Sequence, residues 1–225
     1  MSLSEEAEGY LYGRGAKESV IKDLHCVSWQ PTSTWSTDKQ WLRQFGPHGK
    51  GEWISDWLVI PLKGPRGQVL GFESRPLHKK QFNRWLMPQA YWNPVFCGLT
   101  EEAMSNIWDG GDVWLVEGIF DAFALQWAVP EKDAVIGTVT ASLNARQLEF
   151  LRRFCKGWVH VVYDNDESGR KGTHGWTDQG KYRWGALKKL SSVNVKCREV
   201  TYTGADPGEV WDQGGEAGVK RAFSL

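Results

Sequence analysis

WVHVVYDNDESGRKG, residues 158–172, joins an apolar run to two acids, a glycine and two basic residues. The run predicts a buried strand, and because strand side chains alternate between faces, we expect Asp164 and Asp166 on the same side where the strand ends. Neighbouring carboxylates repel each other unless a cation lies between them, and their oxygens suit Mg²⁺ or Mn²⁺. The alternative interpretation is a polar turn, since Asp, Asn, Ser and Gly are ordinary turn residues.

From residue 112 onward, apolar segments alternate with amphipathic ones on both sides of this stretch. The predicted strands are DVWLVEG (112–118), DAVIGTV (133–139), GWVHVVYD (157–164) and NVKCREVTY (194–202). The predicted helices between them are FDAFALQWAV (120–129), NARQLEFLRRF (144–154) and DQGKYRWGALKKL (178–190). This order predicts an α/β fold with a mostly parallel sheet and helices on both faces.

Four acids follow the predicted strands: Glu117, Asp164, Asp166 and Asp206. Ligands of such sheets bind at the carboxyl ends of the strands, which meet at one edge. Four unrelated loop acids are the alternative. The shared position at strand ends favours one functional cluster.

The first 95 residues have a different pattern. EEAEGYLYGRGAKESVIKDL (5–24) predicts a helix, a turn and a second helix from about Lys17, and TSTWSTDKQWLRQFGPHGKGE (32–52) predicts a long loop. DWLVIPLKGPRGQVLGFESRPL (56–77) predicts a β-hairpin around residues 63–67. We therefore expect a small α+β subdomain over residues 1–99, before an α/β domain over residues 100–225.

Composition bounds the function further. With 41% hydrophobic and 24% charged residues and no long apolar run, the chain is expected to be a globular, cytoplasmic protein without a membrane partner. The four cysteines lack ligand spacing, which predicts no zinc site. Because the formal net charge is zero, a nucleic-acid role requires local basic patches. Such patches lie at RPLHKKQFNRW (75–85) and at Arg170 and Lys171.

A second motif accompanies the two aspartates. LVEGIFDAFAL (115–125) places Glu117 at a strand end, Gly118 in a turn and Asp121 in the first turn of a helix. An acid there is also favoured by the helix dipole alone. Together the E-G-x-x-D and D-x-D motifs resemble the TOPRIM domain of primases, topoisomerases and related nucleases.

Further segments narrow the resemblance. YLYGRGAKESVIKDL (10–24), WLVIPLKGPRGQVLGFESRPL (57–77), NRWLMPQAYWNPVFCGL (83–99) and VIGTVTASLNARQLEFLRR (135–153) are similar to the catalytic core of bacterial-type, DnaG-like primases. The resemblance covers residues 10 to about 210. It implies metal-dependent synthesis of RNA primers from NTPs on a single-stranded DNA template.

The resemblance also implies roles for individual residues. Glu117, Asp164 and Asp166 would be catalytic and hold two Mg²⁺ or Mn²⁺ ions, with Asp121 and Asp206 as supporting ligands. The expected contacts to template or nucleotide phosphates are Arg14, Arg75, Lys79, Lys80 and Arg84. Arg170 and Lys171 are expected to contact the nucleoside triphosphate.

The chain departs from this family in three places. Residues 84–88 match its segment loosely, and Asp206-Pro207-Gly208-Glu209 stands where many members have D-P-D-E. No zinc ribbon precedes the core and no helicase-binding region follows it. We therefore expect a bare catalytic core, either phage or mobile-element encoded or part of a longer protein, with a helicase or zinc-bearing partner in trans.

Two other functions use the same residues. A TOPRIM nuclease would hydrolyse a phosphodiester bond with the same acids, and a DNA-binding module would retain the metal site without catalysis. The primase-like first half argues against the nuclease. A topoisomerase is disfavoured because no second domain is available for a nucleophilic tyrosine.

Overall fold

The structure is a computed structural model that describes residues 3–29, 57–77 and 83–223. Its helices are α1 (Glu5–Gly13), α2 (Glu18–Leu24), α3 (Glu101–Asp109), α4 (Ile119–Leu125), α5 (Ala145–Phe154), α6 (Glu167–His174), α7 (Ala186–Ser192) and α8 (Pro207–Phe223). Its strands are β1 (Val27–Trp29), β2 (Trp57–Lys63), β3 (Val69–Pro76), β4 (Asn83–Leu86), β5 (Val113–Val116), β6 (Ala134–Gly137), β7 (Val159–Val161), β8 (Gly175–Asp178), β9 (Lys181–Trp184) and β10 (Cys197–Glu199).

The N-terminal part is two helices against an antiparallel sheet, with strand order β1-β2-β3-β4. The predicted hairpin is confirmed as β2 and β3, whose turn places Gly67 at φ +72°, where a side chain would be strained. The predicted pair of helices is also confirmed, as α1 and α2. The polar segment 32–52 lies outside the described residues.

The second sheet is parallel, with strand order β10-β7-β5-β6. On one face, α3, α5 and α7 pack on alternate residues of the strands, such as Val113 and Leu115 of β5. On the other face, α4 and α8 pack on the intervening residues Trp114 and Val116. A strand covered on both faces must be apolar at every position, which explains the continuous run VWLV. The predicted α/β class is confirmed.

The two parts share a hydrophobic core. The cluster formed by α1, α2, β2 and β3 also contains Ile119, Phe120 and Phe123 of α4, which are almost completely buried. Helix α4 therefore packs against the parallel sheet with one side and against the N-terminal part with the other. The division at residue 99 stays a prediction, because this core crosses it.

One predicted helix is wrong. Residues 178–184 belong to the hairpin of β8 and β9, and α7 begins only at Ala186. The turn Asp178-Gln179-Gly180-Lys181 has positive φ at both central residues, which is the geometry of a two-residue hairpin turn and not of a helix. The helices α3, α6 and α8 were not predicted.

None of the helices in the described ranges has both the length and the apolar character needed to cross a membrane.

Candidate active site

The carboxyl edge of the parallel sheet carries the predicted acids. Glu117 follows β5 directly, Asp164 lies three residues beyond the end of β7, and Asp206 immediately precedes α8. The strands are parallel, so their carboxyl ends meet at one edge. The backbone amide of Asp164 donates to Oε1 of Glu117 at 3.2 Å, which joins the ends of β5 and β7.

Asp121 connects this edge to α8. Its Oδ2 accepts the amide hydrogen of Gly118 at 3.0 Å, and its Oδ1 accepts that of Gly208 at 3.2 Å. Asp206 caps α8 by accepting the amide hydrogen of Glu209 at 2.6 Å. Both acids thus have structural roles as well as their position beside Glu117.

The space around Gly208 shows how close these groups are. A Cβ at Gly208 would lie 2.9 Å from Nη2 of Arg14, 3.1 Å from Oδ1 of Asp206 and 3.3 Å from Oδ1 of Asp121. Arg14 also forms an ion pair with Asp212 of α8. Sequence analysis missed Asp212, because no local pattern connects residues 198 positions apart.

Burial and mutual repulsion raise the pKa of several of these carboxyls. Burial raises the pKa of Asp164 to about 8, and the charges of Asp121, Glu117, Asp206 and Asp166 add to the increase. Burial and the charge of Asp206 raise the pKa of Asp121 to about 7. The pKa of Glu117 is raised mainly by burial. An edge that holds this much negative charge favours a cation.

One atom of this cluster lacks a hydrogen bond. Oδ1 of Asp164 is buried and has no hydrogen-bond partner among the described residues. A buried carboxylate oxygen without a partner is costly, and a hard divalent cation would satisfy it. Within the described ranges, however, no three carboxylate, imidazole or thiol side chains converge in an arrangement that could hold a metal ion. The unsatisfied oxygen of Asp164 and the negative charge around it fit a divalent cation, although the described side chains are not arranged as a preformed site.

Asp164 and Asp166 were predicted to project from the same side of a strand end, and this prediction is wrong in detail. Strand β7 ends at Val161, so neither aspartate lies on it, and Asp166 is the N-cap of α6, where its Oδ1 accepts the amide hydrogen of Gly169 at 2.7 Å. The chain turns tightly between Asp164 and Gly169, since a Cβ at Gly169 would lie 2.0 Å from the carbonyl oxygen of Asp164.

Two predicted arginines share the ring of Phe120, and one of them, Arg14, lies beside the acids. The guanidinium groups of Arg14 and Arg75 lie 5.1 and 5.4 Å from the ring centroid of Phe120, the residue next to Asp121. Arg75 also lies 5.2 Å from the ring centroid of Tyr10. These aromatic contacts hold the two guanidinium groups on neighbouring rings between α1 and α4.

The other predicted basic residues have different surroundings. Arg170 and Lys171 are exposed on α6, and Lys171 pairs with Glu167 at 2.5 Å. Arg84 donates to Oε1 of the buried Glu73 from Nε and Nη2, at 3.0 and 2.8 Å. Lys79 and Lys80 lie outside the described residues.

We expect Arg84→Gln to destabilise the fold by about 1–3 kcal/mol, because it leaves the Glu73 carboxylate buried without its cation. Glu73 is 2% exposed, and burial raises the pKa of its carboxyl. Urea unfolding measures the effect, and the double variant Arg84→Gln with Glu73→Gln should recover most of the loss. Unchanged stability together with a smaller salt dependence of DNA binding would instead assign Arg84 to phosphate contact.

The carboxyl edge predicts a pH dependence of stability. An unfolded aspartate has a pKa of about 3.9, whereas that of folded Asp164 is about 8. The unfolded chain therefore releases this proton first, and the free energy of unfolding of the metal-free protein should fall as pH rises from about 4 to about 8. Mg²⁺ should restore stability more at pH 8 than at pH 5, since it binds the ionised form. Thermal unfolding in EDTA and in Mg²⁺ at both pH values tests this pH dependence. An equal rise of the thermal midpoint with Mg²⁺ at pH 5 and pH 8 would contradict it.

Comparisons with known proteins agree with this architecture. The family model "Toprim-like" matches residues 114–209, which carry all five acids of the edge. The DNA primase of Aquifex aeolicus is 30% identical over 175 residues, which are 74% of this chain and 32% of that protein. The chain covers about a third or less of the length of the curated relatives it matches.

Solved structures extend the likeness to the N-terminal part. A crystal structure of the zinc-binding and RNA polymerase domains of the Aquifex aeolicus primase matches with a TM-score of 0.68 at 25% identity, over 98% of this chain and 56% of that one. A DnaG primase catalytic domain bound to single-stranded DNA matches with a TM-score of 0.63 at 19% identity, over 97% and 72%. The chain therefore resembles, along nearly its whole length, the catalytic core of DnaG-type primases, and its residues 114–209 match the Toprim-like family model.

Proposed function

We propose that this chain is the catalytic core of a DNA primase, which joins ribonucleotides on a single-stranded DNA template. The observation that carries the proposal is the carboxyl edge itself. Glu117, Asp121, Asp164 and Asp206 gather there with an unsatisfied buried oxygen on Asp164. The likeness to primases in sequence and in fold supports the same reaction class.

Glu117 and Asp164 are the proposed principal ligands of the divalent ions, with Asp166 beside them. When bound, Mg²⁺ or Mn²⁺ would neutralise charge on the attacking and leaving oxygens. Asp121 and Asp206 support the site, because their oxygens hold the turn at Gly118 and the start of α8. Glu117 is also the candidate for general acid or base, since its pKa is raised by burial.

Phosphate recognition is assigned to the predicted basic residues. Arg14 and Arg75 lie on the Phe120 ring beside Asp121, and guanidinium groups bind phosphate with paired hydrogen bonds. Arg170 and Lys171 are exposed on the helix that Asp166 caps, which suits contact with a nucleoside triphosphate. A replicative helicase or zinc-bearing partner stays a prediction of the family resemblance.

The reaction conserves atoms and charge. The 3′-oxygen of one ribonucleotide forms a bond to the α-phosphorus of the next, and the bond from that phosphorus to the bridging oxygen of the β-phosphate breaks. The proton of the 3′-hydroxyl passes to a base, and pyrophosphate leaves. Arg14 and Arg75 stabilise the charge on the phosphoryl oxygens during this exchange.

The products distinguish the candidate functions. The protein is incubated with single-stranded DNA, NTPs and Mg²⁺ or Mn²⁺, and the nucleic acids are separated by size. New short RNA supports the primase, and shortened DNA supports a TOPRIM nuclease. Neither product, with DNA binding retained, supports a non-catalytic module.

A further inference from the structure

The hairpin of β8 and β9 is the least buried element beside the carboxyl edge. All four residues of β9, Lys181-Tyr182-Arg183-Trp184, are exposed, and the side chains of Tyr182 and Trp184 are 56% and 47% exposed. The hydrophobic core clusters of the described residues include no residue of β8 or β9. The hairpin therefore contributes little to folding.

The hairpin leaves and rejoins the domain at one point, the neck, which Gly175 and Gly185 form. The amide nitrogen of Gly175 would lie 2.4 Å from a Cβ at Gly185, so the two ends of the hairpin touch. A hydrogen bond joins the hairpin to α6 at this neck, where the hydroxyl of Tyr182 donates to the carbonyl oxygen of His174 at 2.5 Å. Such an insertion can be removed without stretching the chain on either side.

The neck lies near the end of the sheet that carries the acids. Helix α6 begins at its N-cap Asp166 and reaches the neck after eight residues, about 12 Å along its axis. On the other side, α7 starts just beyond the neck, and its Lys189 donates to the carbonyl oxygen of Leu143 in the loop that follows the carboxyl end of β6. The hairpin thus begins one short helix away from Asp166, and the helix that follows it is bonded to a loop at the carboxyl edge.

Cations and aromatic rings alternate on this hairpin. The Nζ of Lys188 lies 5.6 Å from the ring centroid of Trp184, and Lys181 and Arg183 flank Tyr182. Arg183 approaches Asp178 at 3.3 Å, whereas no ion-pair partner of Lys181 or Lys188 occurs among the described residues. Because strand side chains alternate between faces, Tyr182 and Trp184 lie on one face of β9 and Lys181 and Arg183 on the other, while Lys188 lies beside Trp184.

We infer that this hairpin binds single-stranded nucleic acid next to the carboxyl edge. Unpaired bases stack on Trp184 and Tyr182, and Lys188, beside the Trp184 ring, contacts the backbone phosphates. Exposed aromatic rings beside a cation suit a single strand, because its bases are free to stack whereas those of a duplex are not. The inference rests on the proposed function and names the surface that holds the template strand.

The test measures binding of a fluorescent single-stranded DNA by anisotropy, in EDTA and without NTPs. Trp184→Ala is expected to weaken binding about 5- to 10-fold. Lys188→Gln should reduce the slope of log affinity against log salt by about 0.7. Excision of residues 176–184, which joins Gly175 to Gly185, should have the largest effect while the thermal midpoint changes little.

The matched control is Trp158→Ala. Trp158 is 44% exposed and lies 6.0 Å from the guanidinium of Arg198, but it precedes β7 and so lies at the opposite edge of the sheet. Its variant should bind like the wild type. An equal loss in both tryptophan variants, or no loss in the excision variant, would overturn the inference. So would a change of oligomeric state on excision with DNA binding unchanged, which would assign the hairpin to a protein partner.

The test of the hairpin and the test of the proposed function have separate readouts. Binding is scored without metal ions or nucleotides, and RNA synthesis is scored independently. RNA synthesis by the wild type, together with unchanged DNA binding by the hairpin variants, would refute the hairpin inference but not the primase proposal. Hairpin-dependent binding without synthesis would refute the primase proposal alone.

Discussion

Asp164→Asn is expected to reduce RNA synthesis by at least about 10²-fold, because an amide replaces the charged oxygens that the proposed divalent ions require. The same change should stabilise the metal-free protein by about 1 kcal/mol. It removes the carboxylate whose pKa is raised to about 8 by burial and by its acidic neighbours. Primer yield and thermal unfolding in EDTA measure the two effects.

Two further variants test whether the loss of synthesis is specific to acids at the carboxyl edge. Asp166→Asn should also abolish synthesis but change metal-free stability less, since Asn caps a helix as well as Asp does. Asp109→Asn is the matched control, because this exposed acid ends α3 at the opposite edge of the sheet. Equal activity of Asp164→Asn and the wild type would show that Asp164 has no part in the reaction.

Gly169→Ala is expected to destabilise the protein by about 1–3 kcal/mol and to reduce synthesis about 10²-fold. The added Cβ would lie 2.0 Å from the carbonyl oxygen of Asp164 and 2.8 Å from its amide nitrogen. Both are backbone atoms that cannot rotate away. The turn must therefore open, which displaces the Asp164 carboxylate from Glu117.

The matched control for Gly169 is Gly9→Ala in α1. No atom lies within 4 Å of a Cβ at Gly9, and alanine is favoured over glycine inside a helix by about 0.5–1 kcal/mol. Urea unfolding should show a gain for Gly9→Ala and a loss for Gly169→Ala. If Gly169→Ala unfolds like the wild type and keeps full activity, the tight turn does not position Asp164.

The carboxyl edge could be predicted from sequence because its acids follow uninterrupted apolar runs. Glu117 follows β5 directly, and Asp164 follows the apolar run that continues beyond the end of β7, where the pattern changes abruptly from apolar to polar. The contacts of Asp121 with Gly208 and of Arg14 with Asp212 were not predictable, since they join distant parts of the chain. Such pairings depend on how α4, α8 and the N-terminal helices pack.

The hairpin was missed although its signals are present. Residues 178–190 include leucine and lysine at helical spacing, and this pattern outweighed the turn at Gln179-Gly180. The alternation Lys181-Tyr182-Arg183-Trp184 is typical of a strand, and β9 adopts it. Both faces of β9 are exposed, so its aromatic side, Tyr182 and Trp184, packs on no core among the described residues.

The central claim is that the carboxyl edge joins ribonucleotides, and one measurement addresses it directly. NTPs labelled at the α-phosphate are incubated with the protein, single-stranded DNA and Mg²⁺ or Mn²⁺, and alkali-labile labelled product is quantified for the wild type and Asp164→Asn. We predict product with the wild type and almost none with the variant. Equal product from both proteins, or labelled template that becomes shorter without new RNA, would contradict the account.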